Sequence, residues 1–350
     1  MSSNLYAHDT NDGELKEMVR KESKLFSVNS DVAFLMSSDF GSVTINDWDQ
    51  NEVSIEVQVV ATGTDDDDLK AALEATQIRM QGTAREVRME SELPNAGNRG
   101  KSWWKFWDTN DSKVRVNVIV NMPRTGSMNV KHDFGDLVLG DFTGNVTVQC
   151  DYGKILAGRL TGKETNLRFD YTKNSEFDLI SNGIIRADYS DFTVREAGTL
   201  NVRADFTNSN INRMNGELIY AGDYGDLRTE YTSTMNFRGD YVTVRLGTVA
   251  GPTIIRASYG SLRIADLDKN FGSLSIRSDF TSGRIAYGTD TSFTFDTDFE
   301  FADLDLEGGT ITNRVKDMTE KSYNGFVGND GSSNEIKIDS EYGSYKIVQQ

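Results

Sequence analysis

Residues 133–152, DFGDLVLGDFTGNVTVQCDY, begin and end on the same pair of an acidic and an aromatic residue. The pair recurs along the rest of the chain, mostly every 17 to 19 residues. Its members include Asp133, Asp151, Asp170, Asp188, Asp205, Asp223 and Asp240, each followed by its ring, Phe134, Tyr152, Tyr171, Tyr189, Phe206, Tyr224 and Tyr241. The series continues as Ser258-Tyr259, Asp279-Phe280, Asp298-Phe299 and, after a longer gap, Glu341-Tyr342. A fixed period of this length predicts one structural unit stacked many times.

Each repeat contains two short runs of alternating apolar residues with a polar turn between them, which is the pattern of half-buried strands. In the first repeat these runs are 137–139 and 146–148. About 18 residues at ~3.3 Å each make a closed loop of roughly 60 Å, and such loops stack about 4.8 Å apart. The sequence therefore predicts an all-β fold, a right-handed parallel β-helix (a solenoid) with rungs of about 18 residues. A β-propeller needs blades of about 40 residues and is excluded.

The chain divides into three parts. Residues 1–24 are polar and are expected to form a flexible leader, 25–130 an N-terminal β-rich cap region, and 131–350 the β-helix repeats, with an insertion at about 302–334. The cap region is expected to carry one helix at about 67–80. A run of four aspartates precedes the apolar residues there, and acidic side chains satisfy the free amides at a helix start.

The composition restricts the partners. The 350 residues include 37 Lys and Arg against 54 Asp and Glu, a formal net charge of −17. Nucleic acids and anionic membranes need clustered positive charge, so we expect neither as the main partner. No stretch approaches the roughly 20 apolar residues that span a bilayer, so no transmembrane segment is predicted. The single cysteine, Cys150, excludes an intramolecular disulfide.

The first residues indicate export. Residues 3–9, SNLYAHD, have the character of the end of a signal-peptide cleavage region, with Leu5 and Ala7 at the two small-residue positions. We therefore expect an extracytoplasmic protein, in the periplasm or at the cell surface, whose signal peptide has been removed. The alternative is a natural cytosolic N-terminus.

The repeated aspartates have two interpretations. In the structural one, each carboxylate accepts the amide of the Gly, Thr or Ser two residues on, as in an Asx turn. In the functional one, carboxylates stacked about 5 Å apart hold Ca²⁺, which prefers several oxygen ligands. The calcium consensus of toxin-type repeats is absent. We therefore predict the turn role and no cofactor, with Ca²⁺ as the alternative.

The repeated aromatic residues also have two interpretations. They could form an outer platform for sugar rings. They could instead form a stacked column in the core at a corner of the coil, where offset rings stabilise by about 1 kcal/mol per pair beyond burial. Phe and Tyr alternate freely in the series, which makes the hydroxyl dispensable and favours packing in the core.

A loop at 94–113 contains the strongest candidate contact site. Its large aromatic residues are Trp103, Trp104, Phe106 and Trp107. Four such side chains are costly to expose. They either cap the open end of the coil or form a patch that binds a ligand or partner, and Trp with neighbouring Lys suits carbohydrate or protein better than a metal.

Catalytic constellations are scarce. The histidines are His8 and His132, Cys150 lies in an alternating strand as a small buried residue, and no nucleophile elbow, metal-ligand spacing or phosphate loop occurs. The carboxylates are spread evenly over the rungs. We therefore predict no catalytic, cofactor-binding or metal site, and no enzyme. The alternative is a carbohydrate-active β-helix enzyme, a polysaccharide lyase or a glycoside hydrolase.

Four short segments carry a family resemblance: GSVTI at 41–45, VSIEV at 53–57, VNVIVNMP at 116–123 and FGDL at 134–137. With them the chain resembles the putative adhesin domains, a β-helix family of cell-envelope proteins from Bacteroides-type bacteria whose function is unknown. The resemblance implies an exported protein with no catalytic residues to assign. We therefore predict a non-catalytic scaffold of the cell envelope or surface, or an adhesin-like protein, that binds a glycan or an envelope or surface protein.

Overall fold

The computed structural model describes residues 5–7, 15–93 and 112–350, and every element below belongs to these ranges. Strands and a single helix make this described part of the chain all-β. Two compact units divide after Thr172, which lies inside the repeats and not at residue 130.

The first unit contains thirteen strands and helix α1, which comprises Asp66–Ala75. The strands are β1 (Leu5–Ala7), β2 (Lys16–Ser27), β3 (Ala33–Asp39), β4 (Val43–Trp48), β5 (Glu52–Gly63), β6 (Gln77–Gly82), β7 (Glu86–Glu92), β8 (Ser112–Pro123), β9 (Ser127–Asp133), β10 (Leu137–Leu139), β11 (Val146–Asp151), β12 (Ile155–Leu160) and β13 (Thr165–Asp170).

The parallel pairs from β9 onward in this unit follow the predicted period. Strands β9, β11 and β13 pair side by side, so that Val130, Val148 and Leu167 lie in one buried column. These residues are 18 and 19 positions apart in the chain. Strands β10 and β12 form a second pair of the same kind, and β4 pairs in parallel with the other edge of β10 although it lies 94 residues earlier in the chain. Because neighbouring strands lie about 4.8 Å apart, each repeat advances by one strand width.

An antiparallel layer precedes the repeats. Strand β5 pairs with β2 on one side and with β8 on the other, and its alternation buries Val53, Ile55 and Val57. The predicted leader is therefore too long. Residues from Lys16 onward belong to strand β2, because they find hydrogen-bonding partners along the full length of β5.

Helix α1 begins close to its predicted start but ends earlier. The Asp65 carboxylate accepts the backbone N–H groups of Asp67 (2.9 Å) and Asp68 (3.0 Å), which caps the helix. The helix ends at Ala75. The residues after it, predicted as helix up to position 80, form β6 instead, because they pair antiparallel with β7.

The second unit contains the remaining fifteen strands of the described chain. They are β14 (Ser175–Asp188), β15 (Asp191–Asp205), β16 (Asn208–Ala221), β17 (Gly225–Asp240), β18 (Val242–Val249), β19 (Thr253–Ser258), β20 (Ser261–Leu267), β21 (Ser273–Asp279), β22 (Ser282–Tyr287), β23 (Phe293–Glu300), β24 (Leu304–Leu306), β25 (Gly309–Lys316), β26 (Glu320–Val327), β27 (Glu335–Glu341) and β28 (Tyr345–Gln349).

Parallel pairing dominates this unit too. Strands β14, β15 and β16 pair in sequence order and place Phe177, Val194 and Ile211 in one buried column, 17 residues apart. From β17 onward two parallel series separate. Strands β18, β20, β22 and β28 form one, and β19, β21 and β27 form the other.

The C-terminal repeat does not lie at the end of the stack. Strand β27 pairs in parallel with β21 on one side and with β23 on the other, so the last repeat is inserted between two earlier ones. Strand β26 pairs antiparallel with the second edge of β23, and β25 pairs with β26. Part of the segment predicted as an insertion at 302–334 thus covers a strand edge that would otherwise be open to another chain.

Candidate functional site: an exposed aromatic file

The repeated aromatic residues stack in single file within each unit. In the first unit, the rings of Phe40, Phe134, Tyr152 and Tyr171 lie 4.7 to 5.0 Å apart between centroids, with planes within 5° of parallel. In the second unit the order is Tyr189, Phe206, Tyr224, Tyr241, Tyr259, Phe280, Tyr342 and Phe301, at 4.6 to 5.0 Å. We call this second set the aromatic file.

Every residue of the aromatic file has a left-handed backbone, with φ between 45° and 57°. The N–H of each ring residue except Phe301 donates to a carbonyl of the neighbouring repeat, as from Tyr224 to Asp240 (3.0 Å), whereas that of Phe301 donates to Thr319 (2.8 Å). A bulky residue in this conformation is an outlier that costs about 1–2 kcal/mol. Offset stacking stabilises each ring pair by about 1 kcal/mol, which offsets much of that cost.

The rings are exposed, so the prediction of a core column is wrong. Each residue of the file has between 45% and 51% of its surface accessible to solvent. The physical reason is the left-handed residue itself, which breaks the in–out alternation of the strand. Asp205 and Phe206 therefore both face outward, and Thr207 is the next buried residue.

One member of the predicted series is misassigned. Phe299, from the pair Asp298-Phe299, is 3% exposed, whereas Phe301 has φ 51° and stacks on Tyr342 at 4.9 Å. Glu300-Phe301 has the same residue types as Glu341-Tyr342. That likeness is the sequence signal that identifies the correct ring.

The aspartates form a column beside the rings, but not through the predicted turn bond. The carboxylate of Asp205 accepts the backbone N–H of Asp223 in the next repeat (2.9 Å), and Asp223 accepts that of Asp240 (2.8 Å). The same bond joins Asp133 to Asp151 and Asp188 to Asp205. The carboxylates thus tie successive repeats together, and the amide two residues on is not their partner in these bonds.

Burial, together with repulsion between carboxylates, raises the pKa of two aspartates in this column. Burial, and then repulsion from the neighbouring Asp133, raises the pKa of Asp39. Burial also raises the pKa of Asp151, with Asp170 and Asp133 adding repulsion. In the described part of the chain no group of three or more acidic, His or Cys side chains is arranged to hold a metal ion. No helix among the described residues is long and apolar enough to cross a bilayer.

The other residues singled out in the sequence have separate positions. His132 is buried, with Nδ1 2.7 Å from the carbonyl oxygen of Ser38 and Nε2 3.2 Å from that of Gly41. These contacts join β9 to β3 and to the turn that follows β3. The tryptophan-rich loop with Trp103, Trp104, Phe106 and Trp107 lies outside the described residues.

Cys150 is expected to be unreactive in the folded protein. The residue is fully buried, and burial, with repulsion from Asp133 and Asp151, raises the pKa of its thiol to about 12. At pH 8 a reagent cannot reach the sulfur of Cys150, and the thiol is not ionised to the reactive thiolate. We expect a thiol reagent such as dithionitrobenzoate to label the native chain at least 100-fold more slowly than the chain in urea. Equal rates would contradict this placement.

The described chain is therefore an all-β protein of stacked, mostly parallel repeats with an exposed aromatic edge. It is similar to the structure of a putative adhesin from Parabacteroides merdae (10% identity, 98% of this chain and 100% of that chain covered, TM-score 0.30). It is also similar to a putative cell adhesion protein from Clostridium sporogenes (10% identity, 95% and 100% covered, TM-score 0.20). A third similar structure is a putative lipid binding protein from Parabacteroides distasonis (9% identity, 94% and 96% covered, TM-score 0.28).

One of these structures is named a putative adhesin, which is also the name of the family that the sequence resembles, and another is named a putative cell adhesion protein. No protein-family model matches the chain, and no curated protein matches it.

Proposed function

We propose that this chain is a non-catalytic, adhesin-like binding protein of the cell surface or periplasm, which holds a glycan or a surface protein along its side. In this proposal its frame is a right-handed parallel β-helix with rungs of about 18 residues. The regular parallel register of the repeats supports that frame. The tryptophan-rich loop is proposed as a second contact site or as a cap.

The aromatic file carries the proposal. Its aromatic residues have a backbone conformation that Gly or Asn adopts at little cost, and about half of the surface of each residue faces solvent. Strained residues repeated at one surface position point to a function, because Gly or Asn would form the same turn without the strain.

The file offers ring edges and hydroxyl groups, because its ring faces are covered. Each internal face lies against the next ring, with centroids at 5.0 Å or less. A sugar therefore cannot stack face-on within the file. An extended partner that lies lengthwise along it meets a new ring edge about every 4.8 Å, which favours a polymer over a small ligand.

The test removes two rings from the middle of the file. Tyr241→Asn with Tyr259→Asn keeps a residue type that tolerates positive φ. We expect at least a 10-fold loss of binding to the glycans that the wild-type chain selects on an array, with the circular dichroism unchanged. The control is Ile219→Asn with Ile254→Asn. Both isoleucines are 38% exposed and share a column with Asn201 and Asn236, so asparagine fits there.

Two outcomes would overturn the proposal. One is equal binding by the ring variant and the control variant. The other is release of reducing sugar from any polysaccharide by the wild-type chain, which would favour a carbohydrate-active enzyme. Evenly spread carboxylates oppose that enzyme, since glycoside cleavage needs one distinguished pair.

A further inference from the structure

Three consecutive corners of the second unit share one eight-residue pattern. It reads RGDYVTVR at 238–245, RASYGSLR at 256–263 and RSDFTSGR at 277–284. Each has an arginine at both ends, a ring of the aromatic file in the middle, and Ser or Thr two residues after the ring. The pattern places arginines on both sides of the file.

The strand register stacks these arginines in two columns. Arg256 lies between Arg238 and Arg277 on one side of the file. On the other side, Arg263 lies between Arg245 and Arg284. All six are exposed, and neighbouring strands lie about 4.8 Å apart. Like charges directly opposite each other destabilise a sheet, so packing does not explain the columns.

Counter-charges are found only at the ends of this surface. Arg245 pairs with Asp226 and Arg277 with Asp339, both at 2.8 Å. Among the described residues, no carboxylate lies within 4.0 Å of the side-chain nitrogens of the other four, Arg238, Arg256, Arg263 and Arg284. The column of aspartates is also interrupted at the middle corner, where Ser258 aligns with Asp240 and Asp279.

The middle corner, 256–263, is therefore a local cationic site in an acidic chain. It has two arginines, the hydroxyl groups of Ser258, Tyr259 and Ser261, and no carboxylate. Ser261 aligns with Thr243 and Ser282, which extends the row of hydroxyl groups along the file. Guanidinium groups bind carboxylates and sulfates in a bidentate manner, and hydroxyl groups bind those of sugars.

We infer that the corners from 238 to 284 form a binding strip for an acidic polysaccharide. Its carboxylate or sulfate groups lie on the arginines and its hydroxyl groups on the serines and tyrosines. This inference rests on the proposed function, since it names the class of polymer that lies along the file.

The geometry favours a polysaccharide over other polyanions. Single-stranded nucleic acid binds by stacking its bases on ring faces, and the faces of the file are covered. An anionic membrane surface is a wide negative plane, and it would repel the chain as a whole because the net charge of the chain is −17. A thin chain touches only the strip, and charges more than about 8–10 Å away are screened at physiological salt.

The test removes both arginines of the middle corner, as Arg256→Gln with Arg263→Gln. The matched control, Arg85→Gln with Arg159→Gln, changes the net charge equally at two exposed arginines of the first unit. Binding to polygalacturonate, heparin and neutral dextran is measured by interferometry at 50 and 200 mM NaCl. We expect a 10-fold or greater loss on at least one acidic polymer for the first variant, less than 2-fold for the control, and weaker wild-type binding at high salt.

The outcomes separate this inference from the proposed function. Equal binding by both arginine variants, or tighter binding of the wild type to single-stranded DNA or phosphatidylserine vesicles, overturns the acidic polysaccharide. If the arginine variant binds normally while Tyr241→Asn with Tyr259→Asn does not, the inference fails and the proposed function stands. If no glycan and no surface protein binds the wild type, both fail.

Discussion

Tyr224→Ala is expected to lower the free energy of unfolding by about 2 kcal/mol, and Tyr224→Gly by about 1 kcal/mol less. Tyr224 stacks at 4.8 Å on both Phe206 and Tyr241, so either change removes two ring pairs worth about 1 kcal/mol each. Alanine keeps the cost of the left-handed backbone at φ 56°, and glycine removes it. Urea unfolding followed by circular dichroism gives both values.

The control is the same pair of changes at Thr243, a half-buried strand position in β18 of the same region. There glycine should be the less stable variant by roughly 0.5–1 kcal/mol, because it loses more chain entropy on folding. We therefore expect the glycine variant to be the more stable one at Tyr224 and the alanine variant to be the more stable one at Thr243. If the alanine variant is more stable than the glycine variant at Tyr224 as well, the left-handed backbone assigned to Tyr224 is wrong.

Phe237→Ala is expected to cause the largest loss of stability, about 3–5 kcal/mol. Phe237 is fully buried in β17, and its ring lies 5.5 Å from that of Tyr220. Truncation leaves a cavity between stacked repeats that the neighbouring strands cannot close without shifting their register. The midpoint of urea unfolding and its slope measure the effect, and the slope reports whether the repeats still unfold together.

Two variants bracket this prediction. Phe237→Leu keeps most of the buried volume and should cost no more than about 1.5 kcal/mol. Ile254→Ala, at an exposed position on the neighbouring strand, should change stability by about 0.5 kcal/mol or less. Equal losses for Phe237→Ala and Ile254→Ala would show that Phe237 is not in the core.

The candidate site was only partly predictable from the sequence. The period identified the ring positions, but the side on which the rings lie depends on the backbone angle of one residue per repeat. A propensity argument assigns positive φ to Gly or Asn, and here Phe and Tyr hold it. The arginine columns are visible in the sequence as the repeated pattern at 238–284. Only the strand register brings these arginines together in columns, because it aligns residues that lie 17 to 21 positions apart in the chain from one repeat to the next.

Local alternation and one recurring pair are enough to predict the all-β character, the repeat length and the identity of most ring residues. Tertiary structure alone decided that Lys16 onward is a strand, that α1 ends at Ala75, and that β27 enters between β21 and β23. The physical reason is that strand pairing joins residues far apart in the chain. A short segment takes the partner that an open edge offers it, and no local pattern records which edge remains open.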